Sequence, residues 1–219
     1  LVSVDEKINI LDGAGNPTGE VLWKSEAHRR GLWHRCFHCW ISGEDEEGSF
    51  LLVQRRAPQK DTFPGCLDVT CAGHLRSGEG VIEAGLRELS EELGVRVAPR
   101  DLVRLGTRRI EQEIPGGMDR ELHEVFLLPE GLSPWTMSLQ REEVSAVYRL
   151  PLDGIDHLLA GERVGARFWG PNGSGRETVA LEEFVPNEDG YLARVVRAVR
   201  AALGGYADPG AVFREETAC

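Results

Sequence analysis

Apolar residues recur along this chain in two rhythms, one of period two and one near 3.6, and the switches between them outline its elements. KINIL (7–11), HRCFHCWIS (34–42), SFLLVQRRA (49–57) and LDVTCAGH (67–74) read as strands, with the acidic GEDEEG as an exposed loop between the second and third. DGAGNPTGE (12–20) reads as a turn. VRVAP (95–99), LVRLGTRRIEQEI (102–114), ELHEVFLL (121–128) and EVSAVYRL (143–150) supply further strands, and PGGMDR (115–120) forms a hairpin turn. The slower rhythm predicts a helix over 81–93, with Ile82, Leu86, Leu89 and Leu93 as its apolar stripe. Gly80 serves as its N-cap, Glu83 complements its dipole, and Gly94 stands where a C-terminal glycine is expected. PLDGIDHLLAG (151–161) predicts a short helix ending at Gly161, and 190–203 predicts a longer one. The Gly- and Arg-rich stretch 161–178 reads as loop. No internal repeat or second domain is visible. The expectation is one domain over 1–205, a mixed sheet in an α/β/α sandwich, followed by a poorly ordered tail at 206–219.

Composition narrows the function. The 219 residues carry a net charge of −11 with a pI of about 5.1, which excludes broad nucleic-acid binding. No apolar run approaches a membrane span, and LVSVDEKINILD lacks the pattern of a secretion signal. Five cysteines (Cys36, Cys39, Cys66, Cys71, Cys219), an odd number without a signal, fit reduced thiols and a cytoplasmic location. Cys36-x-x-Cys39, with His34 and His38 nearby, raises a zinc site. On a strand, however, the two thiols point to opposite faces, and no second pair completes the set. Trp33, Trp40 and Trp135 are assigned to packing.

The helix over 81–93 carries the chemistry. Between Gly73 and Val95 the chain reads GHLRSGEGVIEAGLRELSEELGV, which contains G-x5-E-x7-R-E-L-x-E-E-x-G-V. Glu88, Glu91 and Glu92 share one turn beside Arg87, on a face roughly opposite the apolar stripe. Carboxylates so close raise each other's pKa, and a divalent cation relieves the strain; hard oxygen ligands suit Mg²⁺ or Mn²⁺. Its seven Gly, Glu and Arg identities, each at a usage of about 6%, coincide by chance at roughly a few start positions in a billion. The segment is identified as the signature box of the Nudix hydrolases. That resemblance implies the Nudix fold, a small-molecule diphosphate substrate, and metal held by Glu88, Glu91 and Glu92. It also implies that Arg87 orients a box carboxylate, that Glu79 supports the loop–helix junction, and that Gly73 and Gly94 shape the segment's ends.

KSEAHRRGLWH (24–34), QRRAPQKDTFPGCLDVTCAGH (54–74), REEVSAV (141–147) and FVPNEDGYL (184–192) further resemble the branch related to isopentenyl-diphosphate isomerases. Within it they are most similar to Nudix proteins associated with isopentenyl diphosphate hydrolysis. The resemblance implies that Lys24, Arg56 and Lys60 grip the diphosphate, with Pro64 and Gly65 shaping the adjacent loop. It implies a second metal site at His28, His34, His74 and Glu124, although Leu122 stands where a further acidic ligand is expected. Glu92 and Glu124 are the candidate general bases. The isomerases use a cysteine immediately before the G-H pair, and here that position is Ala72. The leading reading is therefore hydrolysis of a prenyl diphosphate. A nucleoside diphosphate derivative, isomerisation, and a non-catalytic diphosphate sensor are the alternatives. The sequence leaves the oligomeric state open, a homodimer included.

Overall fold

The computed structural model describes residues 5–187 and 189–214. Strands β1 (Lys7–Leu11), β3 (Trp33–Asp45), β4 (Gly48–Arg56), β7 (Val103–Ile114), β8 (Gly117–Leu128) and β9 (Val144–Pro151) form where apolar alternation predicts them. So do helices α2 (Val81–Leu93), α3 (Leu152–Leu159) and α4 (Tyr191–Leu203). Gly94 ends α2 with φ of 68°, the left-handed conformation that glycine adopts without a Cβ penalty.

Other segments differ from the sequence reading. Part of the expected turn at 12–20 belongs to β2 (Pro17–Trp23), an edge strand paired with β1 and exposed along most of its length. With no face to bury, it carries no alternation to read. Helix α1 (Lys24–Arg30) buries only Ala27 and was equally silent. LDVTCAGH divides into β5 (Leu67–Asp68), paired with β4, and β6 (Cys71–His74), paired with β3. VRVAP forms no strand. Residues 161–178, expected as loop, instead hold the hairpin of β10 (Val164–Gly170) and β11 (Gly173–Val179); β11 is exposed until Val179. Within the expected tail, Pro209–Arg214 form α5, whose Phe213 is buried in the core. Residues 215–219, including Cys219, lie outside the described residues.

β3 is the hub of the sheet. It pairs antiparallel with β1, β4 and β6 and parallel with β8, giving the mixed sheet expected from the sequence. Its side chains alternate between two cores. Phe37, Cys39 and Ile41 pack with Phe50, Leu52, Phe126 and Leu128 beneath Leu89 and Leu93 of α2. Trp40, with Leu51, Val53, Val125 and Leu127, faces Ile155 of α3 and Val195, Val196 and Val199 of α4. Each of these fully buried side chains contributes about 1.5–3 kcal/mol of transfer free energy. The result is a sheet sandwiched between α2 and the α3–α4 pair, and both of its faces carry chemistry.

Candidate active site

Glu88 and Glu92 do not lie on a solvent face opposite the apolar stripe. They point toward the sheet, 8% and 4% exposed, while Glu91 stays open to solvent. Ile82 and Leu86, expected in the stripe, are only half-buried. Burial, moderated by Arg87, raises Glu88 to about 7. Burial and then the charge of Glu88 raise Glu92 to about 8. Glu92 Oε2 is buried with no hydrogen-bond partner, an arrangement that a cation would complete. Arg87 is the organiser. It donates to Glu79 through Nε (2.7 Å) and Nη2 (2.8 Å), to Glu88 (2.6 Å) and Glu91 (3.2 Å) through Nη1, and to the His74 carbonyl (3.1 Å). Gly73 is required by close approach: a Cβ there would stand 2.1 Å from the Glu88 carboxylate.

A second group of ligands gathers on the opposite, α4 side of the sheet. His28 from α1, His34 from β3 and His74 from β6 form a triangle with ring centroids 5.1–5.5 Å apart. One donor atom from each and one from Glu121 all lie within 4.8 Å of one another. Glu121 Oε1 is 3.2 Å from His74 Nε2 and 3.5 Å from His34 Nε2, and Asp119 Oδ1 lies 3.6 Å from His28 Nε2. The Leu32 carbonyl can only accept from His34 Nδ1 (2.9 Å), which leaves Nε2, 3.3 Å from His28 Nε2, as the nitrogen that faces the cluster. His74 Nε2 and Asp119 Oδ1 are buried without an aligned hydrogen bond. Three imidazoles with one or two carboxylates therefore fit a divalent ion, and the nitrogen-rich set favours Mn²⁺ or Zn²⁺ over Mg²⁺.

The electrostatics agree with that fit. Burial lowers His28 to about 3, reinforced by His74 and His34, and lowers His74 to about 4 despite the adjacent Glu121. Burial opposes charge on His34, but Glu121 and Asp119 outweigh it and hold His34 above its ordinary value. Burial also opposes charge on Glu121, yet His123, His34 and His74 keep it well below the usual carboxylate range. Asp119 is pushed up to about 8, first by burial and then by Glu121, against the pull of His34, Lys24 and Arg56.

The acidic partner of the histidines is thus Glu121 with Asp119, and not Glu124. Along β8, Asp119 and Glu121 face α4, whereas Leu122 and Glu124 face the other way with Phe126 and Leu128. Glu124 pairs with Arg104 (2.8 Å) and lies 3.8 Å from Arg35, apart from the histidine centre. The hairpin turn is also tighter than expected. Ile114 pairs with Gly117, so Asp119 belongs to the strand. Two acids two residues apart were present in the sequence, and strand alternation was the signal that could have found them.

The three expected diphosphate cations divide between the two faces. Lys24 and Arg56 act on the histidine centre, as their pull on Asp119 records. Arg56 is fixed by Asp68 (3.0 Å) and by the Thr62 carbonyl (2.9 Å) of the F-P-G loop. Lys60 pairs with Glu143 and acts on Glu92. Among the described residues, the groups whose metal-ligand atoms converge within 4.8 Å include the histidine centre and exclude the box carboxylates.

Cys36 and Cys39 point to opposite faces as the alternation predicts: Cys36 Sγ donates to Glu121 Oε1 (2.8 Å), and Cys39 packs under α2. Ala72 faces the α4 side and Cys71 the α2 side, in unbroken register from Cys36↔His74 to Cys39↔Cys71.

Comparison with known proteins accords with this architecture. The NUDIX domain family matches residues 32–168. A Nudix hydrolase of Clostridium acetobutylicum is 35% identical over 202 residues, covering 89% of this chain and 97% of that protein. An isopentenyl-diphosphate Delta-isomerase of Aliivibrio fischeri is 32% identical over 143 residues, 65% of this chain and 78% of that one. A crystal structure from Deinococcus radiodurans superposes with a TM-score of 0.52 at 24% identity, over 72% of this chain and 91% of that one, and shows the likeness of fold. With the box intact on α2 and the family match spanning more than half its length, the chain belongs to the Nudix hydrolases, enzymes that act on diphosphate bonds.

Proposed function

We propose that the protein hydrolyses a small prenyl diphosphate such as isopentenyl diphosphate, using Mg²⁺ or Mn²⁺. The observation that carries the catalytic part is the buried Glu88–Glu92 pair, with one Glu92 oxygen left without a partner. Glu88, Glu91 and Glu92 hold the ion, and Arg87 fixes Glu88 and Glu91 while tying the helix to the loop through Glu79. A divalent ion held there would neutralise phosphate charge and acidify a bound water. Glu92 is the candidate to take the proton of the attacking water. Lys60, the cation that acts on Glu92, binds phosphate oxygens on the box face.

Two features favour hydrolysis of a prenyl substrate over the alternatives. Ala72, which stands where the isomerases place a cysteine, has no proton to give, and the unbroken β6 register turns Cys71 to the far face. A cavity of about 300 Å³ lies beside the Arg56–Asp68 pair, walled by Trp40, Asp68, Val69, Phe184, Val185 and Leu192. An apolar pocket of this size suits a short hydrocarbon better than a nucleoside.

Hydrolysis of isopentenyl and dimethylallyl diphosphates, nucleotide sugars and nucleoside triphosphates, each with Mg²⁺ and with the products resolved by chromatography, tests the substrate class. The highest kcat/KM is expected for a prenyl diphosphate. A higher value for a nucleotide would overturn the prenyl reading and leave the hydrolase assignment intact.

A further inference from the structure

Glu121 also anchors a buried polar chain that leads away from the histidine centre. Its Oε2 accepts from His123 Nε2 at 2.6 Å. His123 Nδ1 lies 3.4 Å from Arg108 Nη1. Arg108 is buried and doubly anchored to Asp189, through Nε (2.7 Å) and Nη2 (2.9 Å), and it donates to Asn187 Oδ1 at 2.6 Å. Its guanidinium also stacks on Tyr191, 4.2 Å from the ring centroid. The His38 ring lies 3.7 Å from that of His123 at an interplanar angle of 20°, so the His123 plane is held on its flat side as well.

The direction of this chain follows from its chemistry. A guanidinium only donates. His123 Nδ1 must therefore accept from Arg108, the ring hydrogen sits on Nε2, and Nε2 donates to the carboxylate. His38, Glu121 and His123 also bring donor atoms within 4.8 Å of one another. Yet the His123 nitrogen that would bind an ion is already committed to Glu121, so this trio supports the neighbouring centre and is not a second one.

We propose that His123, with its ring hydrogen placed by Arg108, is the positioning residue that aims Glu121 at His34 and His74. One oxygen of Glu121 is tied back by His123, which leaves the other to face the imidazoles. Asp189 and Asn187, just ahead of α4, set Arg108 and so bear on a ligand across the domain. The inference rests on the reading of His28, His34, His74 and Glu121 as a divalent-cation site. Supporting groups of this kind change metal affinity by about 10–100-fold when removed.

Co²⁺ titration of the full chain, followed by the visible absorption of the nitrogen-coordinated ion, reads the centre without contribution from the box carboxylates. His123→Leu should weaken Co²⁺ binding by about 10–100-fold, and His123→Gln, which keeps an N–H donor toward Glu121, should recover most of the loss. Wild-type affinity in folded His123→Leu would overturn the proposal, as would a His123→Gln variant as weak as the leucine. Failure of the wild-type protein to bind Co²⁺ would remove the cation-site reading itself, and the inference with it. A second measurement needs no variant: long-range ¹H–¹⁵N correlation of the imidazoles should place the His123 hydrogen on Nε2, with Nδ1 bare. A hydrogen on Nδ1 would contradict the relay.

Discussion

Glu92→Gln is expected to lower kcat by about 10²–10⁴-fold and, in the absence of metal, to make the fold more stable above pH 5. The two effects share one cause. Glu92 is buried, its Oε2 has no partner, and its pKa is raised to about 8. Between the ordinary carboxylate value of 4.5 and about 8, the native state holds a proton here that the unfolded chain has released. Stability therefore falls as pH rises through this window, and Glu88, raised to about 7, adds to the fall. Glutamine keeps the shape and removes the charge, so the metal-free variant escapes that loss. Mg²⁺ should raise the melting temperature of the wild-type protein, more at pH 8.5 than at pH 6, and should do so less for the variant. Thermal unfolding with and without Mg²⁺ at the two pH values gives the check. An equal Mg²⁺ effect in both proteins, together with wild-type turnover, would remove Glu92 from the metal site.

Glu121→Gln should weaken Co²⁺ or Mn²⁺ binding at the histidine centre by about 100-fold or more, whereas Glu124→Gln should leave it nearly unchanged. Glu121 is the point on which His34, His74, His123 and the Cys36 thiol converge, and it is held ionised in spite of its burial. Removing its charge takes away the anionic ligand and leaves three imidazoles around a cation. Glu124 sits on the other face, paired with Arg104, and has no route to the ion. Loss of binding in the Glu124 variant with retention in the Glu121 variant would restore the assignment drawn from sequence resemblance.

Much of the fold was legible because its strands bury at least one face. The alternation in HRCFHCWIS follows directly from Phe37, Cys39 and Ile41 packing under α2 while Trp40 packs under α4. Elements with little to bury were invisible: β2 and β11 are mostly exposed, α1 buries only Ala27, and none carries a periodic signal. The box was legible in identity and misleading in placement. Helical spacing put Glu88, Glu91 and Glu92 on one face but could not tell that Glu88 and Glu92 turn inward while Glu91 stays outside. The three histidines grouped by resemblance lie together in the fold, and the acid beside them was missed for a local reason. Reading 115–120 as a turn took Asp119 out of β8 and broke the two-residue phase that places Asp119 and Glu121 beside the imidazoles.

Incubation of the protein with isopentenyl diphosphate and Mg²⁺ or Mn²⁺, with chromatographic resolution of the products, bears most directly on whether the site hydrolyses or isomerises. Ala72 offers no proton on the α4 face, and the Cys71 thiol is buried on the α2 face beside Glu92, where burial holds it well above its usual value. The expected result is release of phosphate with no dimethylallyl diphosphate formed. Dimethylallyl diphosphate appearing without phosphate release, and lost in Cys71→Ala, would contradict the account.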